Sequence, residues 1–261
     1  MRPVVSSQYR LVQRLFRLSS TDRYLGSKLG LAWSVLQPTL LLLVYTFVFG
    51  FVLQIRLPGA TTSLDYVVWL FAGLVPWLAM QESILQGSNS LVAHSQIVKN
   101  LPIRLEMIPI ATSLTAVYML VVGQAMTIIL LLASGIGMTW WILLLIPLDL
   151  LLLAMGGALS LLLSPATAAF RDLTHLLPTL LIVVLFVTPI IYPADLLPIA
   201  LQRIADFNPL YALTDSMRQV TYSGTAPSLN RIIIVSSAVM LLAFVGFRSF
   251  RRVSGGISAY V

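Results

Sequence analysis

LAWSVLQPTLLLLVYTFVFGFVLQI, running from Leu31 to Ile55, contains no charged residue and is bracketed by Lys28 and Arg56. A helix crossing about 30 Å of hydrocarbon needs roughly 20 apolar residues, because each backbone group must find its hydrogen bond within the segment once water is gone. The stretch is long enough, and Pro38 stands near its start, where a missing N–H costs least. It reads as a membrane span. Five further segments read the same way: Tyr66 to about Gln86, about Ile108 to Ala133, Trp140 to Leu163, about Leu176 to Ile191, and Ile232 to Phe247. Ser134-Gly135-Ile136-Gly137 reads as a tight turn between the third and fourth, and Asp149 interrupts the apolar run of the fourth. The expected fold class is an all-α integral membrane protein, with residues 1–30 as a cytoplasmic segment and 31–261 as a six-span membrane domain.

Composition agrees with this. Of 261 residues, 58% are hydrophobic and 10% charged, whereas soluble domains run near half apolar and a quarter charged. There is no cysteine, which excludes disulfides, thiolate nucleophiles and cysteine metal sites; no residue is assigned to catalysis or to a metal. The first thirty residues are too basic and too interrupted for a cleavable signal peptide, so the amino terminus is expected to be retained. Six spans place both termini on one side, and lysine and arginine decide which. Arg2, Arg10, Arg14, Arg17, Arg23, Lys28, Lys99, Arg104, Arg171, Arg248, Arg251 and Arg252 share the side of the termini, twelve of the sixteen basic residues. Arg56, Arg203, Arg218 and Arg231 are left to the other side, so both termini are expected in the cytoplasm. Basic loops beside anionic lipid account for the net charge of +7 without any nucleic acid partner.

Several features could carry function. At about 100° per residue, Arg10, Arg14 and Arg17 fall on one helical stripe, and Tyr9, Leu11, Val12, Leu15, Phe16 and Leu18 on the other half. That pattern predicts a basic amphipathic helix lying at the lipid headgroups. The segment from Gly87 to Met107 is expected as a polar loop containing a short helix from about Ser90 to Val98, stopped by Asn100 and Pro102. Beyond the fifth span, Thr188-Pro189-Ile190-Ile191-Tyr192-Pro193, Leu197-Pro198 and Asn208-Pro209 break any single helix. Leu196 to Ala205 and Leu210 to Val220 are apolar enough to dip back into the membrane where protein receives the backbone. Glu82, Asp149 and His175 are ionisable groups in or near spans, and such groups are functional candidates because burying charge in hydrocarbon is costly. Tyr45, Phe47, Phe49, Phe51, Trp69, Phe71 and Trp77 crowd the first two spans, where interfacial belts or the walls of a sugar conduit would use them.

Four blocks of sequence resemble one family. Thr21-Asp22-Arg23-Tyr24-Leu25-Gly26-Ser27-Lys28-Leu29-Gly30-Leu31-Ala32-Trp33-Ser34-Val35-Leu36-Gln37-Pro38 is similar to the start of the first span in polysaccharide-exporting ATP-binding-cassette permeases. Phe71-Ala72-Gly73-Leu74-Val75-Pro76-Trp77, then Val98 to Arg104 and on to Pro109, then Arg171-Asp172-Leu173 with the Thr188-Pro189 to Asn208-Pro209 stretch, follow in the family's order. Leu101 stands where relatives usually have an aromatic residue. The resemblance is strongest to capsule exporters, and it implies a homodimer bound to two cytoplasmic ATPase subunits that carry the ATP and Mg. It further implies a lipid-linked polysaccharide substrate (capsule, O-antigen or teichoic acid), membrane lipids as neighbours, and periplasmic or outer-membrane export proteins as further partners in the bacterial inner membrane.

The same resemblance assigns roles. Ser90, His94, Gln96, Lys99, Asn100, Arg104 and Glu106 would couple to the ATPase. Arg10, Arg14, Arg17, Arg23, Lys28 and Trp33 would receive lipid and substrate, and Tyr45, Phe49, Trp69, Phe71 and Trp77 would line the translocation path. Pro189, Tyr192, Pro193, Asn208 and Pro209 would belong to a re-entrant gate. No G-x-x-x-x-G-K-[ST] loop occurs, so nucleotide energy must come from another chain. An ion-coupled transporter using Glu82 and Asp149 is the alternative, but it should show interrupted helices in both halves, and the proline interruptions lie in the second half only. A membrane enzyme would need clustered nucleophile, base or metal ligands, and neither H-E-x-x-H nor G-x-S-x-G is present.

Overall fold

The computed structural model describes residues 12–20, 27–52, 63–100 and 104–253, and among them the chain is helical without strands. Helix α1 spans residues 12–20. It is followed by α2 (Trp33–Tyr45), α3 (Ser63–Ala93), α4 (Ser95–Asn100), α5 (Met107–Ser113), α6 (Val117–Ser134) and α7 (Leu145–Ala169). Then come α8 (Leu173–Val187), α9 (Ile199–Asp206), α10 (Pro209–Thr221) and α11 (Leu229–Val253). Tighter turns join α5 to α6 and lead into α7 from Trp140, so the stretches Leu64–Ala93, Met107–Ser134, Trp140–Ala169 and Leu229–Val253 are each long and apolar enough to cross a membrane. Trp33–Phe49 and Leu173–Val187 are apolar but shorter.

The boundaries differ from expectation at several places. The first span leaves regular α-helix at Tyr45 and continues as a widened turn, Thr46–Val52. There the Thr46 hydroxyl donates to the Leu42 carbonyl at 2.9 Å and competes with the ladder. The second runs past Gln86 to Ala93, because Ser88 and Ser90 satisfy their hydroxyls inside the helix: Ser88 Oγ donates to Leu85 O at 3.2 Å and Ser90 Oγ to Gly87 O at 2.6 Å. Small residues that read as loop are here packing residues. The fourth and sixth also extend, to Ala169 and Val253, and Asp149 sits inside continuous helix without interrupting it. Gly135 closes α6 in the left-handed region at φ 77°, as the tight-turn reading requires.

Helices α3 and α7 form the centre. Ser83 and Gly87 on α3 oppose Gly156 and Ser160 on α7, two small pairs each spaced by four residues, so the backbones meet closely. A β-carbon on Gly156 would lie 2.7 Å from that of Ser83, and one on Gly87 would fall inside the Ser160 side chain. Ser160 Oγ is within hydrogen-bonding reach of the carbonyls of Gly156 (2.7 Å) and Ser83 (3.1 Å). Around this axis α6 seats Gly123 against Val75, and α11 seats Gly246 on the Ala158 carbonyl. One apolar core, including Leu42, Phe71, Trp77, Met80, Leu152 and Met217, surrounds the α3–α7 pair. A second, made by Leu15, Leu91, Val98, Ile108, Leu161 and Phe250, gathers α1, α3, α4, α5, α7 and α11 at the end where α3 stops.

Candidate functional site

The two ends of the bundle hold different chemistry. At the end where α3 begins, Arg218 on α10 is 4% exposed and points into protein. Its Nε donates to the Trp69 carbonyl at 3.3 Å, one terminal nitrogen to the Pro189 carbonyl at 3.1 Å, and the other to the Ile190 carbonyl. The guanidinium carbon also lies 3.8 Å from the centre of the Trp69 ring. A planar cation with five fixed donors can serve several carbonyls and an aromatic face at once. One side chain therefore ties α10, α3 and the turn after α8 together. Room for it comes from Gly73, where a β-carbon would fall 2.6 Å from the guanidinium carbon.

The same turn is held from its other side. Asn208 caps α10 by accepting from the Leu210 N–H at 2.9 Å, with Pro209 in the first turn where no donor is needed. Its amide donates to Thr188 Oγ1 at 3.0 Å. Tyr66 donates its hydroxyl to the Ile191 carbonyl at 3.0 Å, and Tyr192 to the Phe186 carbonyl at 2.6 Å. Pro189, Tyr192, Asn208 and Pro209 are thus brought together, while Pro193 precedes the short helical turn Ala194–Leu196. Helix α10 is largely buried, whereas α9 exposes Ile199, Leu201 and Ile204.

From Arg218 a row of rings leads outward. Trp69 and Tyr66 lie 5.8 Å apart, Tyr66 and Phe49 5.9 Å, Phe49 and Tyr45 5.9 Å, within the range of favourable aromatic pairing. Tyr45, Phe49 and Trp69 are partly exposed along this row. Phe71 and Trp77 are not: both are at most 1% exposed inside the core around α3, so their expected place on a path wall is corrected to core packing. Sequence reading missed Arg218, Gly73 and Tyr66 as a unit. The available signal was an arginine within the apolar run Leu210 to Val220, on the side of the chain where basic residues are scarce.

At the opposite end α3 breaks at His94. The backbone N–H of His94 reaches the Ser90 carbonyl at 3.0 Å and its ring Nδ1 lies 2.9 Å from the same oxygen. Helix α4 then restarts at Ser95. The short helix expected from about Ser90 to Val98 is therefore divided between the end of α3 and α4, and Ser90, expected at the start of the coupling segment, is fully buried in α3. Gln96, Lys99, Asn100 and Arg104 are exposed, Glu106 is half-buried, and Val98 anchors α4 in the second core.

Helix α1 meets this hinge directly. Ser19 Oγ is 3.4 Å from His94 Nε2 and 3.3 Å from Thr112 Oγ1. Arg14 and Arg17 face outward as expected, and the opposite side divides: Leu15 is buried in the second core and Phe16 stacks on Tyr118 at 5.8 Å, while Leu18 stays exposed. Lys28 is exposed, and Trp33 donates its indole N–H to Ser27 Oγ at 3.0 Å. Arg10 and Arg23, and the tract 101–103, lie outside the described residues.

The ionisable pair of the alternative reading is not gathered into one site. Asp149 accepts from Gln124 Nε2 at 2.6 Å, linking α7 to α6, while Glu82 borders a cavity near α1 and α2. Among the described residues no group of three or more histidine, aspartate or glutamate side chains could hold a metal ion.

A family profile described as ABC-2 type transporter matches residues 10–222. The O-antigen export system permease protein RfbA of Myxococcus xanthus is 26% identical over 93% of this chain and 92% of its own length. An O-antigen export permease RfbA of Klebsiella pneumoniae is 27% identical over 88% and 86%. The polysialic acid transport protein KpsM of Escherichia coli is 22% identical over 92% of each.

Proposed function

The chain belongs to the ABC-2 type transporter family, and from that premise we propose that it is the permease subunit of an ATP-driven exporter moving a lipid-linked polysaccharide across the bacterial inner membrane. The carrying observation is similarity along nearly the full length to permeases named for O-antigen and polysialic acid export. The exposed face of α4 suits docking to an ATPase subunit, and the hydrogen bond between Ser19 and His94, where α3 breaks, gives α4 a route to α1. In the proposed working assembly two copies of the chain bind two cytoplasmic ATPases, which hold ATP and Mg, with both termini cytoplasmic. Movement of α4 biases the bundle between arrangements only where its contacts differ between them. The turn clamped by Arg218 and Asn208, with α9 and α10, would cap the path, and the row from Tyr45 to Trp69 would offer ring faces to sliding sugars. The chain itself would perform no hydrolysis.

Capsule export draws on the short segment between the first two spans, and O-antigen export on the relatives at 26% and 27% identity. Deleting the gene decides both questions. Surface glycan of one class should remain inside the cell and return on complementation; unchanged surface glycans would remove the assignment. In vesicles, transport should require a copurifying ATPase.

The alternative of ion coupling makes an opposite prediction at Asp149. Its bond to Gln124 survives as a neutral amide pair in Asp149→Asn, so export is expected to stay within about twofold of wild type, since neutral hydrogen bonds in membrane bundles average about 0.6 kcal/mol. Loss of transport together with loss of sensitivity to a proton gradient would favour the ion-coupled reading.

A further inference from the structure

Over its last three turns α11 carries Phe244, Phe247, Arg248, Arg251 and Arg252 on the half turned away from its buried residues Val235, Val239, Gly246 and Phe250. With Leu161 of α7 they line an open cleft of about 680 Å³. Arg248 and Arg252 are exposed and one helical turn apart, a spacing of about 6 Å between β-carbons. Neither guanidinium pairs with another side chain among the described residues, and residues 254–261, which follow in sequence, contain no aspartate or glutamate. Two adjacent cations without a carboxylate select an anion, and a guanidinium pair suits the oxygens of a phosphate. Toward the membrane interior the same stripe is apolar: Met240, Leu241 and Phe244 are 67%, 63% and 66% exposed, in a helix long and apolar enough to cross a membrane. The stripe therefore changes at Arg248 from hydrocarbon to paired charge, the order in which a phospholipid presents its acyl chains and then its phosphate.

We infer that this cleft is a binding site for one anionic phospholipid, with its phosphate on Arg248 and Arg252 and the first part of its acyl chains against Phe244 and Phe247. Any basic residue near an anionic leaflet attracts lipid diffusely, whereas a basic pocket on the flank of spanning helices holds a headgroup in place. The cleft supplies the walls of such a pocket. Phe247 carries the Arg251 guanidinium 4.2 Å from its ring centre, so one rim is charge stacked on a ring, and Leu161 closes the cleft on the α7 side. The volume falls within the roughly 300–1,000 Å³ of ligand sites, room for one headgroup and its first methylenes. An acidic protein surface would meet the arginines but not Phe244, which lies about 6 Å deeper along the helix than Arg248. Leu161 also belongs to the second core, so a bound lipid rests against the end of the bundle where α1 and α4 pack. The inference needs only that α11 crosses a membrane and does not depend on what the protein exports.

The test titrates the intact permease–ATPase complex with phosphatidylglycerol, or with phosphatidylcholine of the same acyl chains, and counts retained lipids by native mass spectrometry. Wild type is expected to hold one more phosphatidylglycerol per chain than the Arg248→Gln, Arg252→Gln double variant, and no more phosphatidylcholine. Each single variant should weaken that binding by about fivefold, the loss expected for one arginine at an anionic surface. Phe244→Gln should weaken it too, and glycerol phosphate should not compete. All three side chains are exposed, so these changes leave the cores intact. Arg171→Gln removes the same charge just beyond Ala168 of the second core and should leave the count unchanged; an equal loss there would reduce the effect to diffuse charge and overturn the site. It is overturned as well if the double variant keeps its phosphatidylglycerol, if phosphatidylcholine binds equally, or if glycerol phosphate competes, which would leave an anion site without an acyl seat. Release of the ATPase from the double variant with its lipid retained would make the cleft a protein contact instead. Surface glycan enters none of these readouts, so failure of the site leaves the export reading standing.

Discussion

Arg218→Leu is expected to abolish surface glycan export and to lower bundle stability by about 2–4 kcal/mol. The estimate follows from the partners left behind. Trp69, Pro189 and Ile190 each present a carbonyl to the guanidinium, and a buried acceptor left unmet costs about 1–3 kcal/mol. Two effects reduce the sum: removing the cation also removes its desolvation cost, and hydrogen bonds in membrane bundles measure lower than in soluble cores. The carbonyls still dominate, because Pro189 and Ile190 sit in a turn whose other supports, Asn208 and Tyr66, hold different atoms. Arg218→Lys should fall between the variants, since an ammonium keeps the charge but cannot fork to three carbonyls and lie flat on Trp69. Gly73→Ala should resemble Arg218→Leu, because its methyl displaces the same guanidinium. The double variant should be no worse than the more severe single one. Thermal unfolding of purified protein beside surface glycan staining checks all four; additive losses in the double variant would mean that Gly73 acts elsewhere.

How far the sequence could be read depends on what kind of signal each part carries. The four stretches long and apolar enough to cross were legible because lipid imposes length and apolarity on a span, so Ile108 to Ala133 and the turn at Gly135 appear nearly where expected. The Thr188-Pro189 and Asn208-Pro209 breaks were legible for a similar reason, since proline removes a donor wherever it stands. The Arg218 seat was not. Arg218 and Gly73 lie far apart in sequence, and their relation exists only once α10 packs on α3. Likewise Phe71 and Trp77 could be recognised as span aromatics, yet hydrophobicity alone does not say whether a ring faces lipid, a path or the core. At the His94 end, Gly87, Ser88 and Ser90 have the composition of a loop, and only the facing Ser160 of α7 makes that run a packing surface. The exposed arginines Arg14 and Arg17 followed from helical periodicity, but the burial of Leu15 in the core that also holds Phe250 needed the bundle.

The strongest consequence of that packing surface concerns two adjacent glycines. Gly156→Ala should destabilise the bundle severely, by about 3 kcal/mol or more, whereas Gly157→Ala should be within about 0.5 kcal/mol of wild type. Helix propensity favours alanine at both positions by nearly 1 kcal/mol, so the difference must come from the neighbours. A β-carbon at Gly157 meets only Ser113 Oγ at 3.5 Å, an ordinary contact, while one at Gly156 lands 2.7 Å from the Ser83 β-carbon, on the opposing backbone-level ridge of α3. Interhelical packing in lipid gains little from hydrophobic exclusion and depends on close backbone approach. Forcing α3 and α7 apart therefore also loosens Ser160 from the Ser83 carbonyl and Thr167 from the Ser88 carbonyl. Because the clash is with the Ser83 side chain, its Oγ and its β-carbon, moving the side chain across the interface should relieve it: Gly156→Ala combined with Ser83→Gly should recover most of the lost unfolding temperature and the monodisperse elution profile. A double variant as unstable as Gly156→Ala would show that the close crossing of α3 and α7 does not set the stability of the bundle.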